Sequence, residues 1–480
     1  MGHSATVTRN AAWLMVQRVL MSLFSIVVVA IVARYLGTER YGYLVLLLSY
    51  NALLSQVSSL GLRPYSVREM AASPGRVVEV VEEMIVLRFA IAAFVTVLTV
   101  AYLHFADDMF PDSLIAILAL QLMTNALAMC FIDGLYGMES IKAVATAMGA
   151  SGVAVQLTCL TAVFANTGLE GIGAAYVLGN VVTLAVAWHM LRKEIGRLRI
   201  RPLRRELLRH VKASRTFFLQ SLVHTIRQRL DVVLITAFLG AHAAGIYGSS
   251  LTLIQRLDLV QDALTTALFP RVSSLHGKSP HELKELVRAS FKLTLVVSAP
   301  MAVGLFGISG DVVRLVFGAQ FMEADPVLAL IAFAIPFSFV YGLLFNVMTA
   351  MRRQDFVFHC SLAVLLPGIG LMVFGIFAAG VPGAAAAFVV AVASLAVPLV
   401  AGYVRQMGSI ASWRDLLGIA AANAVMGGCL WLAGGQHLAV KVLACVVVYA
   451  LAILAFRVVT PGAVRALLQE RMIAREGRDG

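Results

Sequence analysis

The sequence predicts an all-α integral membrane protein of about fourteen transmembrane helices, arranged as two parallel six-helix repeats plus two C-terminal helices. Three observations carry this prediction: composition, the spacing of apolar runs, and where the cations sit along the chain. Of 480 residues, 60% are hydrophobic and 13% charged, whereas soluble domains carry roughly 25% charged residues. Apolar runs near the ~20 residues that cross ~30 Å of hydrocarbon recur along nearly the whole chain. Backbone in lipid must satisfy its own polar groups as helix or closed barrel, and these runs are too long for barrel strands.

In chain order the windows are 13–33, 41–62, 84–104, 112–132, 146–165, 169–190, 215–239, 245–270, 290–310, 326–350, 356–378, 382–404, 414–434 and 440–459. Gly168, Gly171 and Gly173 mark a turn inside the closely spaced pair 146–190. The first run lacks a small-residue cleavage site and precedes many more spans, so it is expected to be a retained helix. Cys130, Cys159, Cys360, Cys429 and Cys445 lie singly in or beside apolar segments, which predicts packing roles rather than disulfides or metal ligation.

Charge gives an independent check on orientation. A formal net charge of +12 raises the question of nucleic acid, but the cations lie in short segments between apolar runs. The longest polar stretch, Leu191 to Lys212, is about 22 residues and too short to build a soluble core. With Met1 placed inside, and residues at window ends counted with the adjacent loop, 27 of the 38 Lys and Arg fall in cytoplasmic segments, 7 within spans and 4 outside, namely Arg34, Arg40, Arg314 and Lys441. That asymmetry puts both termini in the cytoplasm. The basic stretch LRKEIGRLRIRPLRRELLRHVK serves as an orientation signal and interface anchor along anionic headgroups.

The halves of the chain echo one another. IVARYLGTERYGYLVLLLS, at the junction of the first and second windows, parallels LITAFLGAHAAGIYGSSLT, which sets Gly37 opposite Gly240. VFANTGLEGIGAAYVLGN parallels IFAAGVPGAAAAFVV, with Gly168 opposite Gly380. The offsets, 203 and 212, differ by less than a loop. Two six-span units enter the membrane from the same side, so the repeats are parallel and related by an axis near the membrane normal. The expected organisation is an N-terminal six-helix lobe (1–190), a basic cytoplasmic linker (191–214), a C-terminal six-helix lobe (215–404), and two additional helices, packed peripherally or edging the cavity between the lobes, with a basic cytoplasmic tail (405–480).

Three stretches carry a family resemblance. The first, IVARYLGTERYGYLVLLLSYNALLSQVSSLGLRPYSVREMA, has Leu-Gly, then Tyr-Gly, then Gly-Leu before a basic-acidic end. The second, RLDVVLITAFLGAHAAGIYGSSLTLIQRLDLVQDALTTALFPRVSSL, has an Asp in span seven, Gly-x-Tyr opening span eight and a Pro closing it. The third is VRLVFGAQFMEADPVLALIAFAIPFSFVYGLLFNVMTAMRRQ. Together they resemble the multidrug/oligosaccharidyl-lipid/polysaccharide exporter superfamily, in its polysaccharide-biosynthesis branch of Wzx-type flippases. Fourteen spans exceed the twelve common in that branch and match the number in lipid II flippases and some exopolysaccharide exporters.

The resemblance implies a MATE-like two-lobed bundle in the bacterial inner membrane that moves a polyprenyl-diphosphate-linked oligosaccharide for lipopolysaccharide or exopolysaccharide synthesis. Its implied partners are that glycan, membrane lipids, a polysaccharide polymerase or other assembly proteins, and a coupling cation or proton. A MATE-like small-molecule exporter and a lipid II flippase are the alternatives. The arginines within the spans suit an anionic head better than a cationic drug.

Span seven contains His224, Arg227, Arg229 and Asp231, and span eight contains Gln255, Arg256, Asp258 and Asp262. Charges this deep normally face a bundle interior or an aqueous cavity. Arg227, Arg229 and Arg256 are candidates for binding a diphosphate, because guanidinium offers fixed, permanently charged donors. Arg227 and Asp231 stand four apart and can instead neutralise one another. Asp231, Asp258 and Asp262 are coupling candidates, with capping and orientation as the competing role. In the first lobe Asn51 and Gln56, with Gln17 and Arg18, are weaker cavity candidates, and Arg18 can also snorkel to the interface. No covalent chemistry, cofactor, metal or nucleic acid is implied, and the absence of G-x-x-x-x-G-K-[ST] argues against ATP hydrolysis by this chain.

Overall fold

The computed structural model describes residues 2–106, 110–196, 207–266 and 268–458. Part of the predicted basic linker (197–206) and the C-terminal tail from 459 onward lie outside the described residues. Among the described residues the chain is all helical. The helices are α1 (Gly2–Ser59), α2 (Leu62–Ala72), α3 (Val77–Ala106), α4 (Asp112–Gly137), α5 (Ile141–Phe164), α6 (Gly168–Ile195), α7 (Leu207–Arg256), α8 (Asp258–Thr266), α9 (Leu268–Leu275), α10 (Pro280–Val316), α11 (Asp325–Ala332), α12 (Ala334–Ala350), α13 (Gln354–Met407), α14 (Trp413–Leu432) and α15 (Leu438–Ala455).

Ten of these helical stretches are long and apolar enough to cross a membrane, or eleven if the bent pair at Ala319–Ala350 counts as one. The count falls short of the fourteen windows because 13–33 runs on into most of 41–62 within α1, 215–239 into the start of 245–270 within α7, and 356–378 into 382–404 within α13. Those three segments are broken at glycine. Gly37 (φ 74°, ψ 175°) interrupts α1 and Gly240 (φ 84°, ψ 175°) interrupts α7. Ala379 and Gly380 (φ 61°, ψ −136°) interrupt α13.

In two of the three the chain demonstrably folds back. Tyr247 donates to the Asp231 carboxylate at 2.8 Å although sixteen residues separate them, which would be about 24 Å along a straight helix. In α13, Gly375 packs directly on Gly383 and Ala387. The predicted window 326–350 is not one straight helix either: the chain bends by 44° between α11 and α12. Pro336 has no N–H to give the Ala332 carbonyl and its ring crowds that group, so the helix cannot run through.

The chain separates into two compact units, Met1–Ser249 and Ser250–Gly480. Compactness therefore divides the chain inside α7 and not at the basic segment 191–214. The repeat boundary and the packing boundary are different properties. In the first unit Leu62, Met70, Val81, Ile132, Leu135 and Leu191 form the core that joins α2, α3, α4 and α6. In the second, Leu283 and Val287 of α10 pack with Leu344 and Met348 of α12 and Leu399 and Tyr403 of α13. Large apolar side chains such as Phe94, Leu366, Phe377, Trp431 and Leu443 stay exposed. On a multi-span membrane bundle these face acyl chains.

Within the first unit the tips at the two glycine breaks meet. A Cβ on Gly42 would collide with the Ala241 carbonyl, and one on Gly245 with the Thr38 carbonyl. Thr38 Oγ1 and His242 Nδ1 lie 2.9 Å apart beside this contact. In the second unit α14 and α15 pack on α10, outside the core of α10, α12 and α13. Lys292 Nζ reaches Asp415 at 2.6 Å, Lys441 Nζ reaches Asp311 at 2.7 Å, and the Tyr449 hydroxyl donates to the Val296 carbonyl at 2.9 Å. Lys441 is thus not a free loop cation: it lies in the first turn of α15, 7% exposed and paired.

Candidate functional site

A cavity of about 300 Å³ opens in the first unit. Its walls come from the second leg of α1 (Ser55, Gln56, Ser59), from α2 (Arg63), α3 (Arg88) and α4 (Asn125, Met129), with Ser221 of α7. Local backbone explains how Arg63 is presented. Gly61 starts α2 from the left-handed region (φ 64°), and the Phe218 backbone of α7 occupies the space a side chain would need. Any other residue at 61 would strain the turn and push α7 away.

The polar wall is mutually hydrogen bonded. Asn125 Nδ2 donates to Ser55 Oγ at 3.0 Å, Ser55 Oγ to Asn51 Oδ1 at 3.4 Å, and Gln56 Nε2 to Ser59 Oγ at 3.1 Å. The cationic wall centres on Asp133, which is 2% exposed. Arg63 Nε donates to its Oδ1 at 2.6 Å, and Arg88 Nη2 donates to its Oδ2. Arg88 is itself only 2% exposed, and its Nε has no hydrogen-bond partner. The Arg63 side chain is 44% exposed; beyond Asp133 it meets the Met129 sulfur at 3.1 Å and the Tyr136 ring at 5.7 Å. Two guanidiniums against one carboxylate leave the cavity with one uncompensated positive charge. Such a surface suits anionic and hydroxyl-rich ligands.

The predicted residues fall as follows. Gln56 lines the cavity, and Asn51 supports that wall through Ser55. Arg227 and Arg229 are half-buried on the first leg of α7, and Arg256 is half-buried at the helix end. The carboxylate of Asp231 accepts from Tyr247 and from the Val232 backbone N–H, and the arginine that acts on it electrostatically is Arg229. Its partner is thus a tyrosine on the returning leg and not Arg227. Asp262 is exposed, while the side chains of Asp258, Gln17 and Arg18 lie outside the described residues. Among the described residues no group of three His, Cys, Asp or Glu side chains is placed to hold a metal.

Arg63, Arg88 and Asp133 are not among the residues the sequence predicts for the site. Arg88 carried the signal that singled out Arg227, a charge deep in an apolar span. Arg63 and Asp133 sit at window ends, where a charge looks like a loop charge.

A multi-span helical bundle with a polar, cationic cavity defines a membrane transporter. The chain belongs to the polysaccharide biosynthesis protein family, whose sequence profile matches residues 7–276, a range that includes every cavity residue named above. It is 20% identical over 400 residues to the putative O-antigen transporter of Shigella flexneri, covering 79% of this chain and 93% of that one. It is 28% identical over 150 residues to the teichuronic acid biosynthesis protein TuaB of Bacillus subtilis, a match that spans only 30% of either chain. Among solved structures, the lipid II flippase MurJ in an inward closed conformation superposes with a TM-score of 0.75 at 14% identity, over 92% of this chain and 98% of that one. An inward-facing multidrug resistance MATE family transporter of the MOP superfamily superposes with a TM-score of 0.62 at 13% identity, over 84% and 95%. At such identities these two likenesses concern the fold. The chain is a multi-pass bacterial inner-membrane protein of this fold.

Proposed function

We propose that the protein translocates a lipid-linked sugar, specifically a polyprenyl-diphosphate-linked oligosaccharide for cell-surface polysaccharide synthesis, and that its head occupies the first-unit cavity. The carrying observation is the pairing of two walls in one space: amides and hydroxyls from Gln56, Asn125, Ser55 and Ser59, and guanidiniums from Arg63 and Arg88. The first can exchange hydrogen bonds with sugar hydroxyls, and the second can replace the hydration of a phosphate. The process breaks no bond. It exchanges water around the head for a polar cavity while the isoprenoid stays in lipid.

Arg227, Arg229 and Arg256 remain additional contacts for the anionic head in this reading, supported by Ser221 of the same α7 leg in the cavity wall. Asp231, Asp258 and Asp262 remain carriers of a coupling cation or proton. We also propose that α1, α7 and α13 each cross twice, giving fourteen crossings with both ends cytoplasmic. The matching positive-φ breaks at Gly37 and Gly240 support two parallel repeats.

The test is transfer of a labelled polyprenyl-diphosphate saccharide across proteoliposomes, normalised to inserted protein. The wild type should move it, and Asn125→Ala together with Gln56→Ala should slow it. Equal rates for empty and loaded vesicles would overturn the assignment.

A further inference from the structure

Asp133 stands between two arginines that differ in every other respect. Arg88 is enclosed, with 3% of its side chain exposed, and Arg63 is open to the cavity with 44% exposed. Beyond the carboxylate, Arg63 meets only a thioether and a ring face among the described residues, both weak partners for a guanidinium. The unpartnered Nε of Arg88 shows that the described residues leave the cluster short of acceptors.

We infer that Asp133 is a built-in competitor for Arg63: the phosphate of an incoming lipid-linked head takes Arg63 from Asp133, while Arg88 retains the carboxylate. This rests on the cavity being the head-binding site. Bidentate contact with phosphate is stronger than a single Nε contact with a carboxylate, so the exchange is favourable. The released Asp133 keeps Arg88 as its counterion and is not stranded as a buried, unpaired charge. A transporter must also let go. Two uncompensated arginines would hold a phosphate too firmly, and a carboxylate ready to reclaim one of them limits that affinity, as binding along a conducting pore must be weak enough for exit. Asp133 is therefore a positioning residue that sets affinity downward.

The sign of one measurement decides the matter. With the full chain in phosphatidylcholine nanodiscs, binding of geranylgeranyl diphosphate is compared with that of geranylgeraniol. The wild type should prefer the diphosphate. Asp133→Asn should bind it about tenfold more tightly, the effect of removing one nearby screened charge, and should turn over more slowly in transport. Asp133→Glu should restore wild-type behaviour, and Arg63→Gln should abolish the gain. If Asp133 only braces the arginines, Asp133→Asn will bind more weakly, and that outcome, or no change, overturns the inference while leaving the wild-type preference intact. No preference in the wild type would instead remove the head-binding site and the inference with it. A second arm adds phosphatidylglycerol: an equal tightening for that lipid would assign the exchange to ordinary lipid phosphate and overturn its specificity for the carrier.

One readout needs no variant. Phenylglyoxal modification of Arg63, mapped by mass spectrometry, should fall when the diphosphate is bound, and unchanged labelling would count against the exchange even if Asp133→Asn did not fold.

Discussion

Two charge clusters, one in each unit, are built in opposite ways. In the second, Lys441 meets Asp311 and Lys292 meets Asp415, one cation to one anion, and each pair ties the terminal hairpin α14–α15 to α10. In the first, Asp133 serves two arginines and leaves a surplus facing a cavity. Balanced pairs between helices hold helices; an unbalanced set beside open space holds something else. The distinction lies in the arithmetic of partners and not in residue type, because both sets pair Lys or Arg with Asp.

That contrast can be broken experimentally, beginning with the largest effect. Asp311→Asn should leave Lys441 buried without its counterion and lower stability by about 3 kcal/mol, read as a fall in the thermal midpoint in nanodiscs. Transport per folded molecule should not change. Loss of transport without loss of stability would make this pair functional. Arg63→Gln should do the reverse: transport down by roughly tenfold to a hundredfold, as for removal of a charged hydrogen bond worth about 1.5–3 kcal/mol, with the midpoint nearly unmoved. Were the midpoint to drop with it, the cavity cluster would be structural like the other.

A smaller effect tests the case between these two. Tyr247→Phe removes the hydroxyl that closes α7 onto Asp231, and should cost about 1–2 kcal/mol because a buried acceptor loses its partner. A midpoint that stayed in place would show that Asp231 finds another donor. Lys292→Gln should be mildest, at most about 1 kcal/mol, since both partners of that pair are partly solvated. A larger loss would mean that the pair is enclosed more tightly than its exposure suggests.

The membrane character and the turn glycines were legible because each follows from a local requirement. A span needs uninterrupted apolar length, and a reversal at φ near +74° or +84° needs a residue without a Cβ, which Gly37 and Gly240 supply. The bend before α12 was also written in the sequence, as Pro336, but a hydropathy window averages over a single missing N–H. The cavity was less legible for a different reason. Whether Arg88 is a structural or a binding charge depends on how many carboxylates it can reach. Asp133 is 45 residues from Arg88 and 70 from Arg63 along the chain. Only packing brings the three together. The α7 arginines stood out simply because they cluster in one helix.

The contact between the glycine tips has a consequence for ancestry. Gly42 meets Ala241 and Gly245 meets Thr38, and the offset of 203 that pairs Gly37 with Gly240 also pairs Thr38 with Ala241 and Gly42 with Gly245. The contact is thus made twice, by the same two positions with roles exchanged, which is the pattern of an isologous interface between identical subunits. Two copies of one half-length chain would meet in the same way. A duplication that fused them would inherit a ready-made seam, and every later substitution at either tip would have to respect both backbones at once.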